Sequence, residues 1–160
     1  MKKILAIDYE KCTGCRNCEL ACSIAHTHTF NPARSRIQIL KSEPENIVAP
    51  MVCLQCDVPL CRNACPNGAI KENEHGTLYV DSETCVGCMN CVTACIYGGI
   101  TIDPKTKKAI KCDHCWEDPK CAQACEFGAI SFVEKNQGLE TRMIGTKNLA
   151  DQMGIVREGN

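Results

Sequence analysis

The feature that most constrains this chain is the run Cys85-Val-Gly-Cys88-Met-Asn-Cys91-Val-Thr-Ala-Cys95, a C-x2-C-x2-C-x3-C spacing. Three thiols in a tight loop and a fourth one helical turn later suit an iron–sulfur cube: the loop caps one face while the last sulfur points elsewhere. A tetrahedral zinc site draws its ligands as two separated pairs, so cysteines this close would leave one crowded or idle. The chain carries four quartets. Cys12, Cys15, Cys18 and Cys22 repeat the narrow spacing. Cys53, Cys56, Cys61 and Cys65 follow C-x2-C-x4-C-x3-C, and Cys112, Cys115, Cys121 and Cys125 follow C-x2-C-x5-C-x3-C.

Composition says that something besides hydrocarbon holds such a chain together. Of the 44% hydrophobic residues, sixteen are these cysteines, and aromatics are only 4%. With so few large side chains, burial alone struggles to offset the ordering entropy of 160 residues, whereas metal–thiolate bonds add folding energy directly. In a secreted chain this much cysteine would suggest disulfides. Met1-Lys2-Lys3 is followed by only four apolar residues before Asp8, too short for a signal-peptide core, so a reducing cytoplasm is the expected setting. No apolar run approaches the roughly 18 residues of a membrane span. The formal charge is -1, and thiolates with oxidised cluster cores would take it to about -9. Without a basic stripe, nucleic-acid binding has little electrostatic support.

Along the chain, Lys3 to Ile7 reads as a strand delivering the first quartet, and Asn17 to about Ala25 as a helix carrying Cys18 and Cys22. Asn31-Pro32 breaks the chain, Ser35 to Leu40 alternates like a half-buried strand, and Lys41 to Asn46 reads as a loop. A phrase then recurs every thirty residues: Cys65-Pro-Asn-Gly68-Ala-Ile70, Cys95-Ile-Tyr-Gly98-Gly-Ile100 and Cys125-Glu-Phe-Gly128-Ala-Ile130. Fixed period means one supersecondary unit reused: cluster loop, short helix, glycine turn at positive φ, then a strand entered at isoleucine. Hairpins are expected around His75-Gly76 and around Asp103 to Thr106. After Val133 the tail carries two weak apolar groups, Met143-Ile144 and Leu149 to Ile155, and reads either as a frayed terminus or as an arm that orders on another subunit.

Because the fourth sulfur of each quartet points away from its own loop, quartets normally exchange last cysteines, bringing two clusters close together. Spacing does not say which quartets exchange, since neighbouring and nested pairs both match a narrow quartet with a wide one. A row of such clusters carries electrons one at a time, with potentials tuned by hydrogen bonds, burial and nearby charge.

These quartets, with Cys12-Thr-Gly-Cys-Arg-Asn-Cys-Glu-Leu-Ala-Cys22, Asn31-Pro32, Ser35-Arg36-Ile37 and Lys111-Cys-Asp-His-Cys115, give a resemblance across residues 3 to 133. The chain resembles the four-cluster ferredoxin subunits of the dimethyl sulfoxide reductase and formate dehydrogenase type. It looks closest to the short members that serve carbon monoxide dehydrogenase or tungsten aldehyde oxidoreductases. The resemblance implies an α+β fold of two bacterial-ferredoxin-like units, one nested within the other, around four 4Fe-4S clusters. The outer unit would take residues 1–50 and 105–133, the inner unit 51–104, and 134–160 would form the tail. It implies nested pairing: Cys12, Cys15, Cys18 with Cys125; Cys112, Cys115, Cys121 with Cys22; Cys53, Cys56, Cys61 with Cys95; and Cys85, Cys88, Cys91 with Cys65.

The expected function is electron relay within an oxidoreductase hetero-oligomer. The expected partners are a catalytic subunit, of the tungsten- or molybdenum-cofactor kind, and a flavin or other redox subunit. Alternatives are a free soluble polyferredoxin, the ferredoxin subunit of carbon monoxide dehydrogenase or of a formate dehydrogenase or hydrogenase, and, remotely, a zinc-bound interaction module. The chain shows no paired carboxylates, no nucleophile with its base and no phosphate-cradling glycine loop, so it is read as non-catalytic. His26, His28, His75 and His114 read as surface or cluster-supporting groups, with His114 favoured because it lies inside a ligand loop. Arg16 and Lys111 flank cluster sulfurs, where their charge would raise a cluster's potential, but the commoner reading of such basic side chains, exposure, is taken first. Arg34 and Arg36 are read as solvated or partner-docking, and Trp116 as an interface anchor.

Overall fold

The computed structural model describes residues 2–43 and 46–141. Its first strand, β1 (Lys3–Ile7), is buried at four of five positions and pairs antiparallel with the last, β8 (Ile130–Glu134), in the register Lys3↔Glu134 to Ile7↔Ile130. A run as apolar as Ile4-Leu5-Ala6-Ile7 belongs under cover, and the covering partner comes from the far end of the cysteine-bearing region. The first and last quartets are thereby drawn together.

Helix α1 (Asn17–Thr27) begins after Arg16 and ends at His28, both left-handed, and His28 donates its N–H to the Ile24 carbonyl. The Asn31 side chain accepts from the Ala33 N–H and opens a 3-10 turn at Pro32–Arg34. Strands β2 (Ile37–Ser42) and β3 (Ile47–Val52) form an antiparallel hairpin. Glu19 of α1 is buried and accepts the Ile39 N–H at 2.7 Å, which ties the helix to this hairpin. The segment expected as a loop from Lys41 to Asn46 is shorter than expected, because β2 runs through Ser42.

Three short helices follow, α2 (Leu60–Asn63), α3 (Asn90–Ala94) and α4 (Lys120–Gln123). They alternate with the hairpins β4 (Ile70–Glu72)–β5 (Leu78–Val80) and β6 (Ile100–Ile102)–β7 (Ala109–Lys111). The thirty-residue period is realised in three dimensions: Gly68, Gly98 and Gly128 have φ of 63°, 64° and 63°, and β4, β6 and β8 each start at the isoleucine two residues later. Helix α1 packs on α4, and α2 on α3.

The result is an α+β molecule whose described residues form four two-stranded sheets and two buried clusters. One gathers Leu5, Ile7, Ile37, Ile39, Val52 and Ile130 around Cys18, Cys22, Cys53, Cys112 and Cys121. The other gathers Ala69, Ile70, Leu78, Ile100 and Ala109 around Cys85 and Cys91. Cysteine sulfurs sit at the centre of both, so the hydrocarbon forms a thin wall around them. Residues 135–141 are helical, with the Lys135 N–H donating to the Lys2 carbonyl at 3.0 Å and Gly138 close against Ile4. The remainder of the tail, including Met143-Ile144 and Leu149 to Ile155, lies outside the described residues. Among the described residues no helix is long and apolar enough to cross a membrane.

Leu5 is fully buried between β8 and the cysteine-centred core. Leu5→Ala is expected to cost about 2–5 kcal/mol, checked by anaerobic urea unfolding followed by far-UV circular dichroism.

Candidate metal centres

Each quartet delivers three sulfurs from a loop and one from beside a short helix, and the fold decides which meet. One hollow of about 360 Å³, counting its opening to solvent, is lined by Cys85, Cys88, Cys91 and, from the preceding repeat, Cys65. A second, of about 320 Å³, is lined by Cys12, Cys15, Cys18 and Cys125. A third and wider one, of about 790 Å³, is lined by Cys53, Cys56, Cys61 and Cys95. The remaining cysteines, Cys22, Cys112, Cys115 and Cys121, lie within electrostatic reach of one another: Cys121 of Cys22 and Cys115, and also of Cys18, and Cys112 of Cys121 and Cys22, and also of Cys53. All sixteen thiols are free of disulfides.

Burial opposes charge on these sulfurs. It raises the thiols of Cys12, Cys56, Cys61, Cys91, Cys112 and Cys121 above their ordinary value, and Cys18 to about 12. Cys22 is the exception. Burial pushes it up as well, but hydrogen bonds from His26 and from the Arg36 N–H outweigh that and lower it. Thiols kept neutral in this way make poor nucleophiles, yet gathered in fours they are suited to a soft metal that takes up their charge.

The backbone is arranged for thiolates. The N–H groups of Ala69 and Gly99 donate to Cys65 and Cys95 Sγ, each at 3.3 Å, because the glycine turn swings the residue four positions on back toward the sulfur. At Cys22, α1 continues instead of turning, and the donor is the Arg36 N–H at 3.3 Å. The Gln55 N–H donates to Cys53 Sγ at 3.4 Å. Four sulfurs per group, apolar walls and N–H donors aimed at sulfur fit a 4Fe-4S cluster.

Charged side chains complete the surroundings. His26 lies one helical turn beyond Cys22, with Nδ1 donating to the Cys22 carbonyl at 2.9 Å and Nε2 to Asp113 Oδ1 at 3.1 Å. Its ring nitrogens are 3.8 Å from Cys22 Sγ and 3.9 Å from Cys115 Sγ. Burial opposes its charge, but hydrogen bonds to Asp113, Cys115 and Cys22 win and raise it to about 12. Burial likewise opposes ionisation of Asp113, and His26 and Arg36 outweigh it, holding the carboxyl below the usual carboxylate range. Arg34 grips Asp103 with two hydrogen bonds, of 2.9 and 2.7 Å, and lowers its carboxyl to about 2. Both arginines therefore face inward, where carboxylates nearby in space but 69 and 77 residues away in sequence receive them. Sequence reasoning underrated His26, although its i,i+4 spacing from Cys22 on a helix was the available signal. His114 is fully buried, edge-on to Phe132, while His75 is exposed. Arg16 is exposed beside Glu19, and Trp116 is 60% exposed with its ring against Tyr79.

Comparison with known proteins agrees with this chemistry. The 4Fe-4S dicluster domain family matches residues 45–135, and the 4Fe-4S binding domain family matches residues 5–23. Electron transport protein HydN of Escherichia coli (strain K12) is 34% identical over 165 residues, a match covering 86% of this chain and 91% of that protein. The polyferredoxin-like subunit of an aliphatic sulfonate oxidoreductase from Pyrococcus furiosus is 38% identical over 137 residues, covering 82% and 78%. The beta subunit of an NADH-dependent phenylglyoxylate dehydrogenase from Aromatoleum evansii is 39% identical over 132 residues, covering 81% of this chain but only 30% of that protein.

Gly99 is the tightest point of the third hollow. A Cβ there would lie 2.7 Å from Cys53 Cα and 3.1 Å from its nitrogen, both backbone atoms. Gly99→Ala is expected to displace Cys53 and lose about a quarter of the iron bound after reconstitution. Gly98→Asn, at φ 64° with open space around it, is expected to keep the full amount. Iron analysis of the two variants checks both.

Proposed function

The chain belongs to the 4Fe-4S dicluster family of ferredoxin-type electron-transfer subunits, the group that includes those of dimethyl sulfoxide reductases, and from that premise we propose how it works. It relays single electrons through four 4Fe-4S clusters, between a catalytic oxidoreductase subunit and a second redox partner. The clusters are held by Cys12, Cys15, Cys18 and Cys125; by Cys112, Cys115, Cys121 and Cys22; by Cys53, Cys56, Cys61 and Cys95; and by Cys85, Cys88, Cys91 and Cys65. One observation carries the reading: three hollows are each lined by three cysteines of one quartet and the last cysteine of another, and the four cysteines left over lie within electrostatic reach of one another. When bound, such clusters supply reversible one-electron exchange.

The protein's own part is to hold the sites in a row, keep water off them and set their relative potentials. Apolar residues wall the buried sulfurs, backbone N–H groups stabilise thiolate charge, and His26 with the Arg36 N–H adds positive charge around Cys22. The arrangement is read as two ferredoxin-like units, the inner spanning 51–104 and the outer formed by 1–50 with 105–133. Pairing of β1 with β8 supports it, because it closes the outer unit around the inner.

Substrate chemistry is assigned to another polypeptide. Relatives named as oxidoreductase subunits support a catalytic partner, which we take to be a tungsten- or molybdenum-cofactor enzyme, with a flavin subunit or another acceptor on the far side and a cytoplasmic setting. HydN, named simply as an electron transport protein and similar over nearly its whole length, favours a second reading, a freely diffusing polyferredoxin. Co-purification separates the two, since a subunit travels with a large partner and a carrier elutes alone.

Anaerobically prepared protein is expected to contain about sixteen irons per chain. Cys125→Ser is expected to disturb only the site of Cys12, Cys15 and Cys18. Electron paramagnetic resonance of the reduced protein reads this, and damage confined to the site of Cys85 would contradict the pairing.

A further inference from the structure

Lys111 ends β7, whose alternation of buried Ala109, half-buried Ile110 and buried Lys111 turns its side chain inward with Ala109. The residue is 2% exposed. Its ammonium donates to the Leu78 carbonyl at 2.7 Å and to the Cys112 carbonyl at 3.4 Å. Both carbonyls also accept from the side-chain amide of Gln55, at 3.0 and 2.8 Å, and Gln55 is itself fully buried. The half-buried arginines and histidine described above have carboxylates: Arg34 has Asp103, and Arg36 and His26 share Asp113. Among the described residues Lys111 forms no ion pair with a carboxylate.

A buried ammonium with only neutral carbonyls around it is costly, by several kcal/mol for a fixed uncompensated ion. Its side chain lines the hollow of Cys53, Cys56, Cys61 and Cys95, alongside Leu54, Leu78 and Ile100. Burial raises Cys56 and Cys61, and the Lys111 charge pulls both back toward the thiolate. Cys112, whose carbonyl Lys111 holds, has its own sulfur in the neighbouring group, within electrostatic reach of Cys53. The ammonium thus stands at the junction of two sites, with its charge directed into one.

We infer that Lys111 is the fixed countercation of the cluster at Cys53, Cys56, Cys61 and Cys95, and that it makes this cluster the more readily reduced of the two that meet at Lys111. Adding an electron there places one further negative charge beside the ammonium, in an apolar pocket where that attraction is weakly screened. At the neighbouring group the basic side chains Arg36 and His26 both meet the Asp113 carboxylate, whereas Lys111 meets no carboxylate among the described residues. The inference rests on the proposed ligand assignment of that cluster.

The test is anaerobic redox titration of the holoprotein, followed by electron paramagnetic resonance. Cys56→Ser identifies the signal of this cluster, and Lys111 is replaced by Met, Gln and Arg with iron measured on each. Lys111→Gln keeps a hydrogen-bond donor for the carbonyls without the charge, and Lys111→Arg keeps the charge. The expected result is that Met and Gln lower the midpoint of that one signal at least tenfold in equilibrium, about 59 mV for one electron, while Arg holds it. Selective loss of that cluster in Met and Gln, with retention in Arg, equally supports a charge requirement. Unmoved midpoints at full iron in Met and Gln overturn the countercation role, as does loss in all three variants or retention in Gln alone, which would make Lys111 a hydrogen-bonding and packing residue. If Cys56→Ser removes no signal and no iron, the ligand assignment fails, and the inference falls with it for that separate reason.

Discussion

Charge on a buried sulfur is the constraint from which the rest of this structure follows. A thiolate inside protein is unfavourable unless a cation or an N–H group meets it, and here nine of the sixteen cysteines are less than fully shielded while seven lie buried in the two cores. Apart from Cys22, every shifted thiol moves toward its neutral form. Metal reverses that preference, and folding and metal binding become one process. It explains why a chain with 4% aromatics can hold its shape, and why its helices need be only four or five residues long wherever they do no more than carry a sulfur past a loop.

Much of this was legible in the residues themselves. The quartets announced the metal, and the phrase repeated at thirty residues announced the glycine turn and the strand after it, down to the isoleucines that begin β4, β6 and β8. Local signals sufficed because each repeat solves a local problem: reverse the chain beside a sulfur, return an N–H to it, and cover it. The two hairpins inside the repeats were readable for the same reason, since their turns and alternation lie within a dozen residues. Cys22 shows where the rule stops. Its helix continues to Thr27, so the N–H that meets its sulfur comes from Arg36, fourteen residues on.

What could not be read was set by distance along the chain. The pairing of Ile7 with Ile130 and the contacts Arg34–Asp103 and Arg36–Asp113 join segments with no shared local pattern. Arginine in a polar stretch looks like a solvated residue until a carboxylate arrives from elsewhere in the fold. The same holds for Lys111, which follows an alanine and an isoleucine in a three-residue strand. Its inward direction is implied by period-two alternation, but a lysine at the end of so short a strand has the reach to escape to solvent, and only the surrounding structure closes that route.

A division of labour follows between what repeats and what does not. Backbone N–H donors at sulfur recur in equivalent form at Cys65 and Cys95, so they lower the cost of thiolate charge similarly at both and cannot by themselves make one site differ from another. Side-chain charges recur less: His26 with Asp113 and Arg36 lies at one group and Lys111 at the next, and although Lys11 precedes Cys12 as Lys111 precedes Cys112, Lys11 is exposed and paired with Asp8. A relay of chemically identical centres needs unequal surroundings if electrons are to favour a direction, and in a protein built by repetition that inequality has to come from the residues that break the repeat.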